Sequence, residues 1–430
     1  MSTVGGARTG TVAPTRSSGP SVGDRVARRL MLAAARRIRV GRLRIVLPDG
    51  RVVVVGEADP TGGLDAEMRV HDEAGALRML IRGEIGAGEA YMDGLWSSPD
   101  LPGLLRLAAV NREALALSDG WLSRIGRLPL VIAHRARRNT VAGASRNIRR
   151  HYDLGNDFYR LFLDESMTYS SAVFETGAES LAVAQRAKYR AMADRAGLQP
   201  GMRVLEIGSG WGGFALYAAG ELGCRVTTVT ISKEQHALAT ERVQAAGLED
   251  LVSVQLRDYR EIEGVYDAIV SIEMFEAVGA EYFTTFFEAC DMALRPGGRL
   301  SMQTIAFPDL AYGPQVRGAN WIQTYIFPGG LLPSLAAIER SLHGTHLVVR
   351  SVQDIAAHYV RTLATWRTSF MRRLDDVRSM GFDDRFIRMW EYYLTISEAG
   401  FDTGVCQDYQ LVLEKGRALP SRALADATRR

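Results

Sequence analysis

The run Arg203-Val204-Leu205-Glu206-Ile207-Gly208-Ser209-Gly210-Trp211-Gly212-Gly213 constrains this chain more than any other segment. Val204, Leu205 and Ile207 read as a short buried strand, and Phe214 to Ala219 read as a helix. Glycines between a strand and a helix let the backbone approach a ligand closely. The pattern is near a dinucleotide fingerprint, but its acid, Glu206, lies inside the strand, just before the first glycine.

At 430 residues the chain is too long for one core, and two domains are expected. A hydrophobic share of 47% and a charged share of 23% suit a soluble globular protein. No run of 18 apolar residues occurs, so no membrane span is expected. The first 20 residues are small, polar and basic, without the apolar core of a secretory signal, and read as a disordered leader. Cys224, Cys290 and Cys406 are scattered. They suggest reduced thiols in a cytoplasmic protein, with no disulfide framework and no metal site.

The net charge of +3 says little, but local clusters say more. Arg135, Arg137, Arg138, Arg146, Arg149 and Arg150 lie in an acid-free stretch. Arg36, Arg37, Arg39, Arg42 and Arg44 form a second cluster. Such runs are commonly solvated faces. They also suit anionic lipid headgroups, at roughly 1 kcal/mol per basic residue near the surface. Nothing interleaves aromatics with these charges, so nucleic acid is not expected as a partner.

Residues 21–125 alternate short strands (Leu43–Leu47, Val52–Val55, Glu67–Val70) with helical segments and read as a small α+β domain. Residues 126–148 read as a basic linker. From 149 to 417 strands alternate with helices: 203–208, 225–232, 252–257, 266–273 and 298–305, with 347–352 and 409–414 as the last two. That pattern predicts an α/β domain with a doubly wound, seven-stranded, mostly parallel sheet. Residues 306–342 and the helical 354–400 read as a cap, and 418–430 as a loose tail. In such sheets ligands lie beyond the carboxyl ends of the strands. Thr230 and Gln235 follow the second strand and can bond a ribose or an amino-acid moiety. Asp258 and Tyr259 follow the third, where an acid can accept from an adenine amino group and a ring can stack on it.

The Glu-x-Gly-x-Gly form resembles motif I of class I S-adenosylmethionine (SAM) methyltransferases. A more specific resemblance runs through 149–417. It is carried by His151-Tyr152-Asp153-Leu154-Gly155-Asn156, Ser166-Met167-Thr168-Tyr169-Ser170-Ser171, Met274-Phe275-Glu276-Ala277-Val278-Gly279, Tyr325-Ile326-Phe327-Pro328-Gly329-Gly330 and His358-Tyr359-Val360-Arg361. These runs resemble the cyclopropane-fatty-acyl-phospholipid synthase family, which includes the mycolic acid cyclopropane synthases and methyltransferases. Gly88-Glu89-Ala90-Tyr91 resembles the extra N-terminal domain of its phospholipid-acting members.

The resemblance implies SAM as cofactor, held by Tyr169, Ser170, Glu206, Gly208, Ser209, Gly210, Gly212, Thr230, Gln235, Asp258 and Tyr259. It implies methyl transfer to the double bond of an unsaturated acyl chain in a membrane phospholipid. The resulting carbocation needs a dry site, aromatic walls and a base. His151, Tyr152, Phe275, Trp321, Tyr325 and Phe327 are the expected substrate residues. In the family a bound bicarbonate is the base, held by a Cys, a Glu, a His and a Tyr. Glu276 and Tyr359 match two of these, but Ser171 and Gln303 stand where the Cys and His would be. The four form the expected catalytic set, and the two departures put bicarbonate in doubt. They turn the expected product from a cyclopropane ring to a methylene branch, the precursor of a methyl branch. A cyclopropane synthase is the alternative, and a natural-product methyltransferase the distant one. The expected partners are a peripheral anionic membrane surface at the inner face of the cell membrane, a second copy of the chain, and a separate reductase for saturating the branch.

Overall fold

The computed structural model describes residues 22–59, 63–115, 154–317 and 320–416. The basic linker, its six arginines, His151 and Tyr152 lie outside the described residues, as do the leader and the tail.

Seven strands build the main sheet: β5 (Arg203–Ile207), β6 (Arg225–Thr230), β7 (Val252–Leu256), β8 (Tyr266–Ile272), β9 (Leu294–Ala306), β10 (Leu347–Asp354) and β11 (Gln407–Lys415). Their order is β10-β11-β9-β8-β5-β6-β7. The five strands from β7 to β9 pair in parallel, whereas β11 runs antiparallel to both β9 and β10. Val204, Leu205, Glu206 and Ile207 are all buried, as both faces of a parallel strand must be when helices cover them. The strand order reverses between β5 and β8. That switch point leaves a crevice at their carboxyl ends. The glycine run follows β5, and Glu273 follows β8. The expected doubly wound architecture is therefore present, and the seven expected strands match within a few residues.

The N-terminal domain holds a four-stranded sheet of order β2-β1-β3-β4, from β1 (Arg42–Val46), β2 (Val52–Gly56), β3 (Asp65–Val70) and β4 (Trp96–Ser97). The two-residue β4 is a pairing the sequence reading lacked. Helix Ala74–Met92 is one of the helical segments between those strands, and it bends at Gly83, whose φ is 59°. This domain has no separate core. Its buried Ile85, Met92, Trp96 and Leu104 belong to one apolar cluster with Trp321, Trp366 and Trp390 of the cap. Trp321 lies edge-on to Tyr392 at 4.8 Å. A side chain at Gly88 would put its Cβ 2.4 Å from the Trp321 indole nitrogen.

Gly88 is thus a contact point between helix Ala74–Met92 and the cap. Gly88→Val should lower stability by about 1–3 kcal/mol, the usual cost of overpacking. Urea unfolding measures this, and an unchanged midpoint would show that Trp321 moves aside freely.

Candidate active site

The glycine run makes a ligand cradle. A Cβ added at Gly210, whose φ is 48°, would meet nothing within 4 Å, so the backbone faces open space there. At Gly208 the same atom would lie 2.9 Å from Met274, so that turn is packed from behind. Gly212, with φ 86°, caps the following helix. The backbone N–H groups of Gly208 and Ser209 both bond the Val229 carbonyl, fixing the turn to β6. The Trp211 indole N–H donates to Asn156 Oδ1 at 2.7 Å and ties the turn to the segment after His151 and Tyr152. Thr230 donates to Gln235 Oε1 at 2.9 Å, so both stand at the end of β6.

Glu206 is buried on β5 and accepts from the Thr228 hydroxyl at 2.6 Å. Burial pushes its carboxyl up to about 8. Asp258 also sits at a strand end, but its carboxylate accepts three bonds from Arg260: from the backbone N–H, Nε and a terminal nitrogen. Tyr259 is buried edge-on to Phe286 with its ring beneath Arg260. The Arg260 guanidinium therefore lies over the ring that the sequence offered to adenine. The expectation for Phe275 as a substrate residue does need correcting. It is fully buried among Phe283, Phe286 and Phe287 and is a core residue, not a wall of the acyl site.

At the end of β8 the chain does something unexpected. Glu273 has a left-handed φ of 48°, one of two non-glycine residues with positive φ among those described. Such conformations cost of order 1–3 kcal/mol and persist where surroundings hold them. Here three donors converge on the Glu273 carboxylate. The Ser171 backbone N–H donates to Oε1 at 2.8 Å, and Gln303 Nε2 to the same oxygen at 2.8 Å. The Tyr359 hydroxyl donates to Oε2 at 2.7 Å. The Ser171 hydroxyl is turned away and donates to the Ala172 carbonyl.

Ser171, Gln303 and Tyr359 are three of the four positions carried over for a bicarbonate site. Their donors are taken by a protein carboxylate, so the residues present do not fit a separate bicarbonate. The fourth, Glu276, is held differently. Its Oε1 accepts from the Thr304 hydroxyl and the Ile305 N–H, while its buried Oε2 has no hydrogen-bond partner. Burial first, and then the Glu273 charge, pushes it up to about 8. Asp408 completes the cluster: it accepts from Gln303 Nε2 at 3.1 Å, and Gln410 fixes the other end of that amide.

Burial raises both Glu273 and Asp408 above the usual carboxylate range. Glu273 has three donors and the positive field of Lys188 to hold its charge. Asp408 has one donor, and its Oδ1 has none, so the proton resides on Asp408 and the charge on Glu273. Lys188 is fully buried, donates to Ser170 Oγ at 2.6 Å, and is lowered to about 8 by burial. The Tyr359 hydroxyl is pushed well up, by burial and then by Glu273, and keeps its proton.

Aromatic side chains stand around this cluster. Tyr359 stacks on Phe401 at 4.4 Å and lies edge-on to Trp366. Tyr169 stacks on Trp366 at 5.2 Å, bonds the Tyr393 hydroxyl at 2.7 Å, and has Phe327 beside it. Trp321 and Tyr325 lie farther toward the N-terminal domain, where the Tyr325 hydroxyl donates to Glu89. Sequence reasoning missed Glu273, Asp408 and Lys188. The rule applied to Asp258, an acid at the carboxyl end of a parallel strand, applies equally to Glu273.

A strand-end glycine cradle at the switch point of this sheet is that of a class I SAM-dependent methyltransferase. The chain belongs to the mycolic acid cyclopropane synthetase family, whose model matches residues 140–411. It is 42% identical over 384 residues to the tuberculostearic acid methyltransferase UfaA1 of Mycobacterium tuberculosis, covering 86% of this chain and 87% of that protein. To the cyclopropane-fatty-acyl-phospholipid synthase of Escherichia coli it is 36% identical over 361 residues, covering 83% and 89%. The crystal structure of mycolic acid cyclopropane synthase CmaA1 with SAH and CTAB superposes with a TM-score of 0.59 at 29% identity, over 63% of this chain and 98% of that one. This chain is therefore a SAM-dependent enzyme. No helix among the described residues is long and apolar enough to cross a membrane.

Gly210 tests the cradle. Gly210→Val puts a side chain into the open space and should weaken SAM binding by about a hundredfold or more by calorimetry. Unchanged affinity would move the cofactor elsewhere. Glu206 tests the electrostatics. A carboxyl raised on folding stabilises the protein below its unfolded pKa and loses that contribution as pH rises through its folded value. Glu206→Gln should therefore gain stability relative to the parent as pH rises from 6 to 9, by roughly 1–3 kcal/mol at the upper end. Thermal unfolding across that range measures the gap, and a gap independent of pH would contradict a protonated Glu206.

Proposed function

We propose that this enzyme methylates the double bond of unsaturated acyl chains in membrane phospholipid and yields a methylene-branched chain, with Glu273 as the base. The observation that carries this is the Glu273 carboxylate, held by Ser171, Gln303 and Tyr359 where the family would place a free anion.

When bound, SAM supplies an electrophilic methyl group. The residues of this chain do the rest. The glycine cradle, with Glu206, Thr230 and Gln235 at its sides, orients the cofactor. Tyr169, Trp366, Phe327 and Tyr359 present ring faces and edges, exclude water, and favour a cation on the acyl chain. The carboxylate of Glu273 adds negative charge near that cation. A hydride shift moves the cation to the methyl-bearing carbon. Glu273 then takes a proton from the added methyl, and the C–H electron pair becomes the new double bond. Tyr359 and Gln303 keep Glu273 ionised and aimed until that step. The buried Oε2 of Glu276, which has no hydrogen-bond partner, is a second candidate acceptor.

The 42% identity to a protein named as a methyltransferase, against 36% to one named as a cyclopropane synthase, supports the branch over the ring. The N-terminal domain supports a phospholipid substrate, since it shares its core with the cap. The same reading places the enzyme peripherally on the inner face of the cell membrane, with a homodimer and a separate reductase as candidate partners.

Glu273→Gln keeps the shape and removes the base. It should cut turnover by about a hundredfold or more, the usual worth of a positioned base, while SAM affinity changes only a few-fold. Gas chromatography–mass spectrometry of oleoyl lipids, with calorimetry, reads both. Turnover within tenfold of the parent would exclude Glu273 as the base, and a mainly cyclopropane product would exclude the methylene outcome. In the parent, turnover should rise with pH through a group above the ordinary carboxyl value of about 4.3, as Glu273 loses its proton.

A further inference from the structure

The second arginine cluster of the sequence divides in the structure. Arg42 and Arg44 point across the small sheet and form ion pairs with Asp65 and Glu67. Arg29, Arg36 and Arg37 have no ion pair among the described residues, and all three are exposed. They belong to helix Val22–Ala35 and the turn that follows it.

This helix has two dissimilar faces. Ala27, Met31 and Ala35 are buried in the shared core, and Ala34 is buried beside them. The opposite face carries Arg25, Arg29 and Ala33, and between them Val26 at 50% and Leu30 at 49% exposure. Val26 and Leu30 are four residues apart and so stand one above the other on that face. A single exposed leucine needs no explanation. An aliphatic pair set among arginines is the arrangement of a helix lying in a headgroup layer, where cations meet phosphates and apolar tips enter the acyl boundary. Helix Ala74–Met92 exposes Leu77 and Ile81 at the same spacing. The two helices pack together, and the Arg28–Glu73 ion pair at 2.6 Å fixes one to the start of the other. The far end of helix Ala74–Met92 meets the cap at Gly88 and Glu89.

We infer that the outer face of helix Val22–Ala35 is the surface that docks this protein on an anionic bilayer. Val26 and Leu30 enter the headgroup–acyl boundary, and Arg29, Arg36 and Arg37 engage lipid phosphates. The inference rests on the lipid substrate proposed above and adds the surface that meets it. Through helix Ala74–Met92, with its bend at Gly83, that surface connects to the cap.

The test uses the full chain and sedimentation with vesicles of equal parts dioleoyl phosphatidylglycerol and dioleoyl phosphatidylcholine. V26S/L30S should bind about tenfold more weakly than the parent. R29Q/R36Q/R37Q should bind more weakly at low salt and lose most of the parent's salt dependence. V348S/V352S, which alters two exposed valines on edge strand β10, should bind as the parent does. All of these positions are exposed, so unfolding midpoints should be unchanged. Parent-like binding by both V26S/L30S and R29Q/R36Q/R37Q would overturn the inference, as would a parent that does not bind these vesicles. Binding is read without turnover. A parent that binds through this face yet fails to methylate oleoyl chains would overturn the proposed reaction and leave the docking surface standing.

Discussion

A carboxylate removed from bulk water keeps its charge only where donors and an opposite charge surround it. Glu273 meets that requirement with Ser171 from the loop before helix Leu181–Ala196, Gln303 from β9 and Tyr359 from helix Ala356–Arg372. Lys188 supplies the opposite charge from behind Ser170. Three segments distant in sequence are thus held to one side chain, and the side chain in turn accepts a left-handed backbone. The sheet makes this convergence available. The β5/β8 switch point puts the end of β8 beside the glycine turn, so the group that holds negative charge lies next to the place where a sulfonium cofactor is cradled. Asp408 is the counterweight: by keeping a proton it spares the cluster a second adjacent charge.

The N-terminal domain depends on the same economy of shared surfaces. Its sheet is small, and its helix Ala74–Met92 buries residues that an isolated domain of this size would leave in water. Trp321, Tyr392 and Tyr91 close that gap with a string of tilted and edge-on rings between domain and cap. Two half-buried hydrogen bonds, Tyr325 to Glu89 and Tyr91 to Glu391, fix the register of that interface. The cap is therefore held from outside by the N-terminal domain and from inside by Tyr359.

The seven-stranded sheet was legible because buried parallel strands are nearly continuous apolar runs, as Ala268 to Val270 shows and as Val204 to Ile207 shows with Glu206 as its one break. The glycine cradle was legible because a strand that runs into Gly208, Gly210 and Gly212 leaves bare backbone where a ligand can approach, as the open space at Gly210 shows. The role of Glu273 was not, because the motif Met274-Phe275-Glu276 drew attention to the next acid along. Only the turn after β8 shows which carboxylate the donors reach. Lys188 could have been noticed as a charge on the buried stripe of Ala184, Gln185 and Met192. Asp408 and Gln410 alternate inward on β11, but their partner Gln303 lies on a strand distant in sequence, and pairing of that kind leaves no local signal. Phe275 was misread for the reverse reason: a strand-end aromatic looks the same in sequence whether it lines a site or fills a core.

The central claim is that the base is part of the chain. Its most direct test is the rate of the unmodified enzyme on oleoyl phospholipid with dissolved bicarbonate removed, compared with the rate after bicarbonate is restored. A resident Glu273 predicts equal rates in the two conditions. A rate that collapses without bicarbonate and recovers on its addition would contradict the account.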